Sequence, residues 1–369
     1  MRAEKKLTFI DRLFLWLNVL LCLALLLSYL APYIDPRKNW VIAFFGLAYP
    51  PLLLANAILI VYWLLRRSRY VFLSVITILV GWNVLNNNIG IRLPNSKSQP
   101  AGLKVLRVMT YNVHNFKHYG FKNDISTKRE ILALIGEQRP DIIGIQEFYT
   151  RKSGEYDMID SIKRIMGAQY YYFEPSSTSS SESIGMAIFS RYPIKQHGLI
   201  QLSSKGSGNQ CLYVDVENND LKFRFYSVHL QSINFDPEDY KYLGSLSHKG
   251  KTDIHATKRV GSKLKNAFLK RSEQVFTIKE HAGKCPYPYI ISGDFNDTPA
   301  SFAVNQMAKG LKNAFREKGA GLGRTYNGDF PNYQIDYVMT SKQFEVWDYK
   351  IIEKKMSDHY PLSTDLVLK

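Results

Sequence analysis

Six short polar motifs, most of them set at the end of an apolar run, carry side chains suited to hydrolysing a phosphate ester. They are Thr110-Tyr111-Asn112, Ile145-Gln146-Glu147, Ser227-Val228-His229-Leu230, Gly293-Asp294-Phe295-Asn296, Ile335-Asp336-Tyr337 and Ser357-Asp358-His359. Such hydrolysis requires neutralised charge, a directed water and a stabilised leaving oxygen. Hard divalent cations are held by carboxylate and amide oxygens, and histidine holds or moves protons near neutral pH, so every type the reaction needs is present. Placement matters as much as type, because a strand fixes the position of its last residue while the following loop leaves the side chain accessible.

Single residues carry less weight than the set. Glu147 follows Ile142-Ile143-Gly144-Ile145, and a charged residue at a strand end, like Asp358 in its own motif, is common on any protein. His229 taken alone reads equally well as a satisfied histidine closing a half-buried strand. Gly293-Asp294-Phe295-Asn296 says more: Ile290-Ile291 drive the strand inward, and then an acid and an amide two residues apart share one face.

In this order the motifs resemble the endonuclease/exonuclease/phosphatase superfamily, the metal-dependent phosphoesterases related to pancreatic deoxyribonuclease, and the resemblance runs from about Val105 to Lys369. The stretch from Gly185 to Ile194 also looks like a strand that several members carry ahead of the histidine motif. The resemblance implies a four-layer α/β sandwich, two facing mixed sheets between outer helices, with the site at one sheet edge. It implies Mg2+ or Mn2+ as cofactor, bound by Glu147, with Asn112 and Asp358 completing or supporting the site. Asp294 would orient and deprotonate the attacking water, and Asn296 would hold a phosphate oxygen. His229 would stabilise the transition state, while His359 would contact the phosphate with Asp336 setting its tautomer. Gln334 stands where many members place an arginine, which removes one phosphate contact or structural pair. The extended signatures of the inositol-polyphosphate phosphatases are missing, as Ser292 and Gln334 show.

The elements that must position these residues can be read from periodicity. Residues 87–104 are rich in Asn, Pro, Ser, Gly and Lys and read as a linker. Beyond it, strands are predicted at 105–111, 142–147, 185–189, 212–216, 222–229, 289–292, 335–339 and 344–349, with helices near 127–137, 159–166 and 256–281. Many strands with few helices over 105–369 predict an α/β catalytic domain with facing sheets and helices outside. Ser176 to Ser183 reads as a flexible loop near the rim of the site. Lys241 to Arg271, with Lys258, Arg259, Lys263, Lys265 and Lys270 among its cations, reads first as a solvated helix face and second as a contact for substrate or lipid head groups.

The first 86 residues are of another class. Apolar runs at 13–34, 40–65 and 70–85 predict about three transmembrane helices, the third short for a hydrocarbon core of roughly 30 Å, and Pro50-Pro51 interrupts the second. The first run is too long for the roughly 7 to 15 apolar residues of a signal peptide, and no small-residue cleavage site follows it. Arg2, Lys5, Lys6 and Arg12 before the first run and Arg66, Arg67 and Arg69 after the second outweigh Arg37 and Lys38 between them, so the positive-inside rule puts the N-terminus in the cytoplasm. Three crossings then place the catalytic domain on the periplasmic or extracellular side of an inner or plasma membrane. The net charge of +16 divides evenly, since residues 1–100 hold 11 basic and 3 acidic residues and the rest hold 37 and 29. Half of it therefore belongs to membrane topology, and the other half suits an anionic partner without naming a reaction. Of three cysteines, Cys22 lies in an apolar run, leaving Cys211 and Cys285 able to pair in an oxidising compartment.

The expectation is a membrane-tethered, divalent-metal-dependent phosphoesterase that hydrolyses phosphodiester bonds of nucleic acid or of phospholipid head groups, with membrane lipid as its other partner and no protein partner legible. A phosphomonoesterase is the nearest alternative. A silent binding or scaffold protein that keeps the fold is the alternative of a different class, and retention of every acid, amide and histidine the chemistry needs argues against it.

Overall fold

The computed structural model describes residues 7–92, 104–117, 125–204, 206–218, 221–249, 253–328 and 332–369. An N-terminal helical bundle comes first: α1 (Phe9–Ser28), α2 (Val41–Leu47), α3 (Tyr49–Leu65), α4 (Val71–Val80) and α5 (Trp82–Asn88). The sandwich follows as β1 (Val105–Asn112), a 3-10 turn (His114–Phe116), α6 (Ile125–Gln138), β2 (Ile142–Arg151), α7 (Met158–Met166), β3 (Tyr170–Thr178), β4 (Glu182–Ser190), β5 (Ile194–Gln201), β6 (Gln210–Asn218) and β7 (Leu221–His229). It closes with α8 (Pro237–Lys249), α9 (Ile254–Gly283), β8 (Tyr289–Asp294), α10 (Phe302–Ala308), β9 (Lys312–Asn313), α11 (Ala314–Lys318), β10 (Asp336–Thr340), β11 (Phe344–Ile351) and β12 (Leu362–Leu368).

The strands form two six-stranded mixed sheets, ordered β11-β12-β1-β2-β4-β3 and β5-β6-β7-β8-β10-β9. Each sheet has one parallel pair at its centre, β1 with β2 and β7 with β8. Leu106, Val108, Ile142, Phe223, Phe225, Ile290 and Val338 fill the space between the sheets. The alternate residues face outward: Met109, Tyr111, Ile143 and Ile145 pack with α6 and α7, while Tyr226, Val228, Ile291, Tyr337 and Met339 pack with α9 and α10. That is the four-layer sandwich. Its strands are hydrophobic on both faces because both faces are covered.

Period two also decides where the polar residues go. Thr110 and Asn112 continue the inward row of Val108; Ser227 and His229 continue that of Phe225; Ser292 and Asp294 that of Ile290; and Asp336 precedes Val338. The inner rows thus pass from apolar to small polar to chemically capable as each strand nears the same end of the sandwich. Gln146 donates to Ser227 Oγ at 3.0 Å and to Thr110 Oγ1 at 3.2 Å, tying the two sheets just below that end. Gly144 makes room for the tie, since a Cβ there would lie 2.6 Å from Ser227 Oγ.

Several expectations are corrected here. By length and composition one helix, α1, is sufficient by itself to cross a membrane, and up to three spans result if each bent pair, α2 with α3 at 60° and α4 with α5 at 74°, is one. Pro50 and Pro51 open α3 and bring no N–H to the turn before them, so the second run breaks at Ala48. The third breaks at Gly81, against which the Tyr29 ring packs so closely that a Cβ would meet it at 2.0 Å. The first run ends as a helix at Ser28 and continues as turns. Asn18, Cys22, Asn56, Trp63 and Ser74 satisfy one another inside the bundle, with Asn18 donating to Ser74 Oγ at 2.7 Å and Trp63 Nε1 donating to Asn18 Oδ1 at 2.9 Å. The stretch 87–104 begins inside α5, and its residues 93–103 lie outside the described ones. Ser176 to Ser183 is largely a tight hairpin joining β3 to β4. Cys211 and Cys285 are free.

Gly293 tests how tightly the site-bearing strand is held. Its φ is +141°, and a Cβ there would lie 2.0 Å from the Val228 carbonyl oxygen of the neighbouring strand. Gly293→Ala is expected to cost roughly 2 to 5 kcal/mol through backbone strain plus a clash with main chain that cannot swing aside. Thermal unfolding of the variant checks this, and a melting temperature equal to that of the wild type would contradict it.

Candidate active site

Strand register brings the predicted residues together. His229 and Asp336 are the lateral neighbours of Asp294 on β7 and β10, and Asn112 is the neighbour of Gln146 on β1 and β2. The pairing of β2 with β4 shifts register between Ile145 and Phe148, and Glu147 within that irregularity has φ +51°. A bulge of this kind re-aims one side chain out of the alternation. Glu147 consequently joins the seam that Asn112 faces, although Gln146 already occupies the inward position. Asn296, with φ +53°, turns back over Asp294 in the same way.

The distances describe one cluster. Asp294 Oδ2 lies 3.6 Å from both His229 Nε2 and His359 Nε2, and His229 Nε2 lies 4.0 Å from Glu147 Oε1. Asn112 Nδ2 donates to Glu147 Oε1 at 3.1 Å and to Asp294 Oδ2 at 3.2 Å, joining the two sheets through their carboxylates. Asn296 donates its backbone N–H to Asp294 Oδ1 at 2.8 Å and its amide to the Leu230 carbonyl at 3.0 Å. His359 Nδ1 and Asp336 Oδ2 are 2.9 Å apart, and His229 Nδ1 is 3.1 Å from the Gly208 carbonyl, so each ring has an orienting partner on the side away from Asp294. Ser357 Oγ donates to the Asn112 carbonyl at 2.8 Å, which brings Asp358 and His359 from the far end of the chain. All eight predicted site residues therefore meet at one end of the seam.

Asn112 stands as a bridge between carboxylates: its amide N–H groups face the acids and its Oδ1 accepts from the His114 backbone at 3.1 Å. Asp294, Asp336 and His359 offer ligand atoms within 4.8 Å of one another, all buried. Glu147 is the accessible acid, one-third exposed. His114, two residues past Asn112, lies 3.5 Å from Glu147 Oε2 and 3.7 Å from Asp358 Oδ1. The sequence reading passed over His114 because it follows the strand inside a turn; its spacing from Asn112 was the available signal.

The electrostatics follow from crowding. Burial pushes the Asp294 carboxyl up, the His359 charge pulls it back and Asp336 pushes it up again, leaving it at about 6. Burial also works against charge on His359, but Asp336 and Asp294 outweigh it and hold the imidazole well above its ordinary value. Burial acts upward on Glu147 as well, yet the hydrogen bond with His114 and the His229 and His114 charges bring that carboxyl down to about 2. Two carboxylates of opposite tendency thus share one site.

A sequence model described as the endonuclease/exonuclease/phosphatase family matches residues 109–359. The chain belongs to the endonuclease/exonuclease/phosphatase family. A second model, a domain of unknown function designated DUF8431, matches residues 11–88. Among solved structures, a family protein of Beutenbergia cavernae DSM 12333 is similar with a TM-score of 0.52 and 20% identity, covering 72% of this chain and 72% of its own. Family proteins of Leptotrichia buccalis C-1013-b and Bacteroides vulgatus each reach a TM-score of 0.50 at 16% identity, covering 71% and 72% of this chain and 99% and 100% of theirs. These likenesses are of fold. No curated protein matches the chain in sequence.

In this family member the loop after the Gly-Asp-Phe-Asn motif holds a further charged pair. Arg271, read from sequence as part of a solvated basic face, is 1% exposed, and its Nη1 lies 2.9 Å from Asp297 Oδ2. Removing one partner of a buried pair leaves an uncompensated charge, so Arg271→Met is expected to lose about 3 to 5 kcal/mol at neutral pH. Burial already pushes Asp297 up, and the Arg271 charge opposes this together with hydrogen bonds from Thr298 and Ser301. In the variant the folded-state pKa rises further, and protonation favours the fold as pH falls through it. Denaturant unfolding at several pH values should show the deficit shrinking toward acid; a deficit independent of pH would contradict the pairing.

Proposed function

We propose that this chain is a membrane-tethered, divalent-metal-dependent phosphodiesterase whose reaction centre is the cluster of Glu147, Asp294, His229 and His359. The convergence of both histidines at 3.6 Å on Asp294 Oδ2, beside an accessible acid, is the observation that carries the reading. Glu147 Oε2 and Asp358 Oδ1 lie 3.5 and 3.7 Å from the same atom, His114 Nδ1, and carboxylate oxygens are the ligand type that suits Mg2+ or Mn2+. Glu147 and Asp358 would hold the ion, with Asn112 fixing the Glu147 carboxylate, and the bound ion would neutralise phosphate charge.

The chain's own residues account for the proton and the geometry. Asp294, at about 6, is a carboxylate near neutral pH and still basic enough to take a proton from water, the balance that general-base catalysis favours. Asn296 holds it in place through the 2.8 Å backbone bond and places an amide beside the seat of a phosphate oxygen. His359, kept cationic by Asp336 and Asp294, offers its Nε2–H to the phosphate. His229, oriented by the Gly208 carbonyl, would in its imidazolium form donate Nε2–H to negative charge developing in the transition state.

The substrate reading favours a phosphodiester presented at a membrane surface. Asp294 is six residues from Ala300, which is buried against the N-terminal bundle, so the centre lies no more than roughly 22 Å from it. A nucleic acid is the second reading, favoured by the exposed cations Lys258 and Lys270 of α9. The full chain in phospholipid vesicles, offered plasmid DNA, RNA, sphingomyelin, phosphatidylinositol and a generic bis-phosphodiester with Mg2+, Mn2+ or EDTA, separates these. Lipid hydrolysis abolished by EDTA is expected. Glu147→Gln should lower turnover by about 10²-fold or more and regain part of it in excess Mg2+; full activity in EDTA would remove the metal mechanism.

Asp336→Asn and His359→Ala are expected to act as one unit, each lowering kcat by roughly 10² to 10⁴-fold, with the double variant little worse than the poorer single one. Steady-state kinetics on the four proteins of the cycle decide it. Losses that simply multiply would show that Asp336 does not work through His359.

A further inference from the structure

A short loop joins the reaction centre to the N-terminal bundle. Ala300, six residues beyond Asp294 and four beyond Asn296, is fully buried, and it belongs to one apolar cluster with Leu25 of α1, Tyr49 of α3 and Val84 of α5. At Gly46 of α2 a Cβ would lie 3.1 Å from the Ala300 carbonyl oxygen and 2.5 Å from Ala31 Cβ. The loop's main chain therefore closes on a helix position with no space for a side chain. From the sandwich side the same loop is held by Arg271 on Asp297 at 2.9 Å and by Tyr337 Oη donating to the Asp297 carbonyl at 2.9 Å. Asn305 Nδ2 donates to the carbonyls of Pro299 at 2.8 Å and Ser301 at 2.7 Å, while Asn87 of α5 donates to Asn305 Oδ1 at 3.1 Å. Residues 297–301 are clamped between two bodies, and Asp294 and Asn296 lead straight into the clamp.

The surrounding junction is broad. Ser272 Oγ, next to Arg271 on α9, donates to Asp35 at 2.8 Å; Phe268 meets Phe44 with ring centroids 5.3 Å apart; and Arg37 lies 4.8 Å over the Phe276 ring. Gly90 and Gly321 exchange backbone hydrogen bonds at 2.8 and 3.0 Å, and Arg92 donates to the Phe315 and Gly319 carbonyls at 3.2 and 3.1 Å. A chain hung on a free linker would need none of these contacts.

We propose that the N-terminal bundle is a positioning element of the reaction centre: its seat for Ala300 holds the 297–301 loop, and through that loop Asp294 and Asn296, in their working geometry. The proposal rests on the reading of Asp294 as the base, whereas the clamp is a matter of packing alone. Leu25, Gly46 and Ala300 are positioning residues, and they act by distance, since a displacement of about 1 Å costs on the order of 10²-fold in rate.

The test is a size exchange across the seat in the full chain, reconstituted in phospholipid nanodiscs: Ala300→Leu, Leu25→Ala and the double variant. Turnover is measured on the substrate that the wild type cleaves, and hydrogen exchange is followed in 294–301 and, as a remote reference, in 182–190. Each single variant should lower kcat by roughly 10-fold or more with little change in KM and should speed exchange in 294–301 alone. The double variant should recover most of both, because the volume removed at position 25 lies in the same apolar cluster as the volume added at 300. Unchanged exchange in 294–301 overturns the clamp; faster exchange with wild-type kcat overturns the positioning role; and a double variant as poor as the worse single one reduces the effect to general destabilisation and overturns it too. Should Ala300→Leu not fold, Leu25→Ala, which leaves the sandwich sequence intact, decides with the same readouts. A wild type that hydrolyses nothing refutes the proposed function, and the exchange results then uphold or overturn the clamp by themselves.

Discussion

The two-residue period of a strand governs this molecule. Because both sheets are covered on both faces, each strand must supply apolar side chains alternately to the inter-sheet core and to the outer helices. Polar residues are tolerated on the inward rows only where the seam opens, and the four strands β1, β2, β7 and β8 open it at the same end because both parallel pairs run toward it. The Gln146, Thr110 and Ser227 tie marks the boundary. Below it the rows are apolar; above it they hold acids, amides and histidines.

Crowding acids and imidazoles into that opening fixes their protonation states without any residue being unusual in itself. Desolvation and the neighbouring Asp336 raise Asp294, while Glu147, more accessible and ringed by donors, is held low. The same two carboxylates on separate surface loops would titrate alike. Burial raises both, and their difference comes from their neighbours, His114, His229 and Asn112 around Glu147 and Asp336 beside Asp294; it is what allows one acid to handle protons and the other to offer a permanent charge.

The bundle adds contacts that reach the sandwich at Ala300, Phe268 and Gly321. Its interior pairs Asn18, Asn56, Ser74, Trp63 and Cys22, which ties α1, α3 and α4 to one another, and Gly46 and Tyr49 shape a place for a loop of the other body. Polar side chains that satisfy one another in an apolar bundle specify one arrangement of helices. That single arrangement is what makes the seat for Ala300 well defined.

The sequence by itself determined the family, the order of the site motifs and most strand positions, because each of these is written in local pattern: apolar alternation, a Gly-Asp-Phe-Asn turn, histidines at strand ends. It also contained the apolar character of the first 86 residues. Only tertiary structure decided which residues meet. Glu147 reaches the seam through a register shift that no local pattern announces. Arg271 is buried although its neighbours in sequence are surface cations, because Asp297 arrives from a loop 26 residues away. Three apolar runs become one long helix and two bent pairs because Pro50 and Pro51 withhold donors and the Tyr29 ring occupies the space at Gly81. Hydrophobic periodicity reports what each segment would bury; which partner buries it depends on contacts between residues far apart in the chain, and those exist only once the sheets and the bundle have packed.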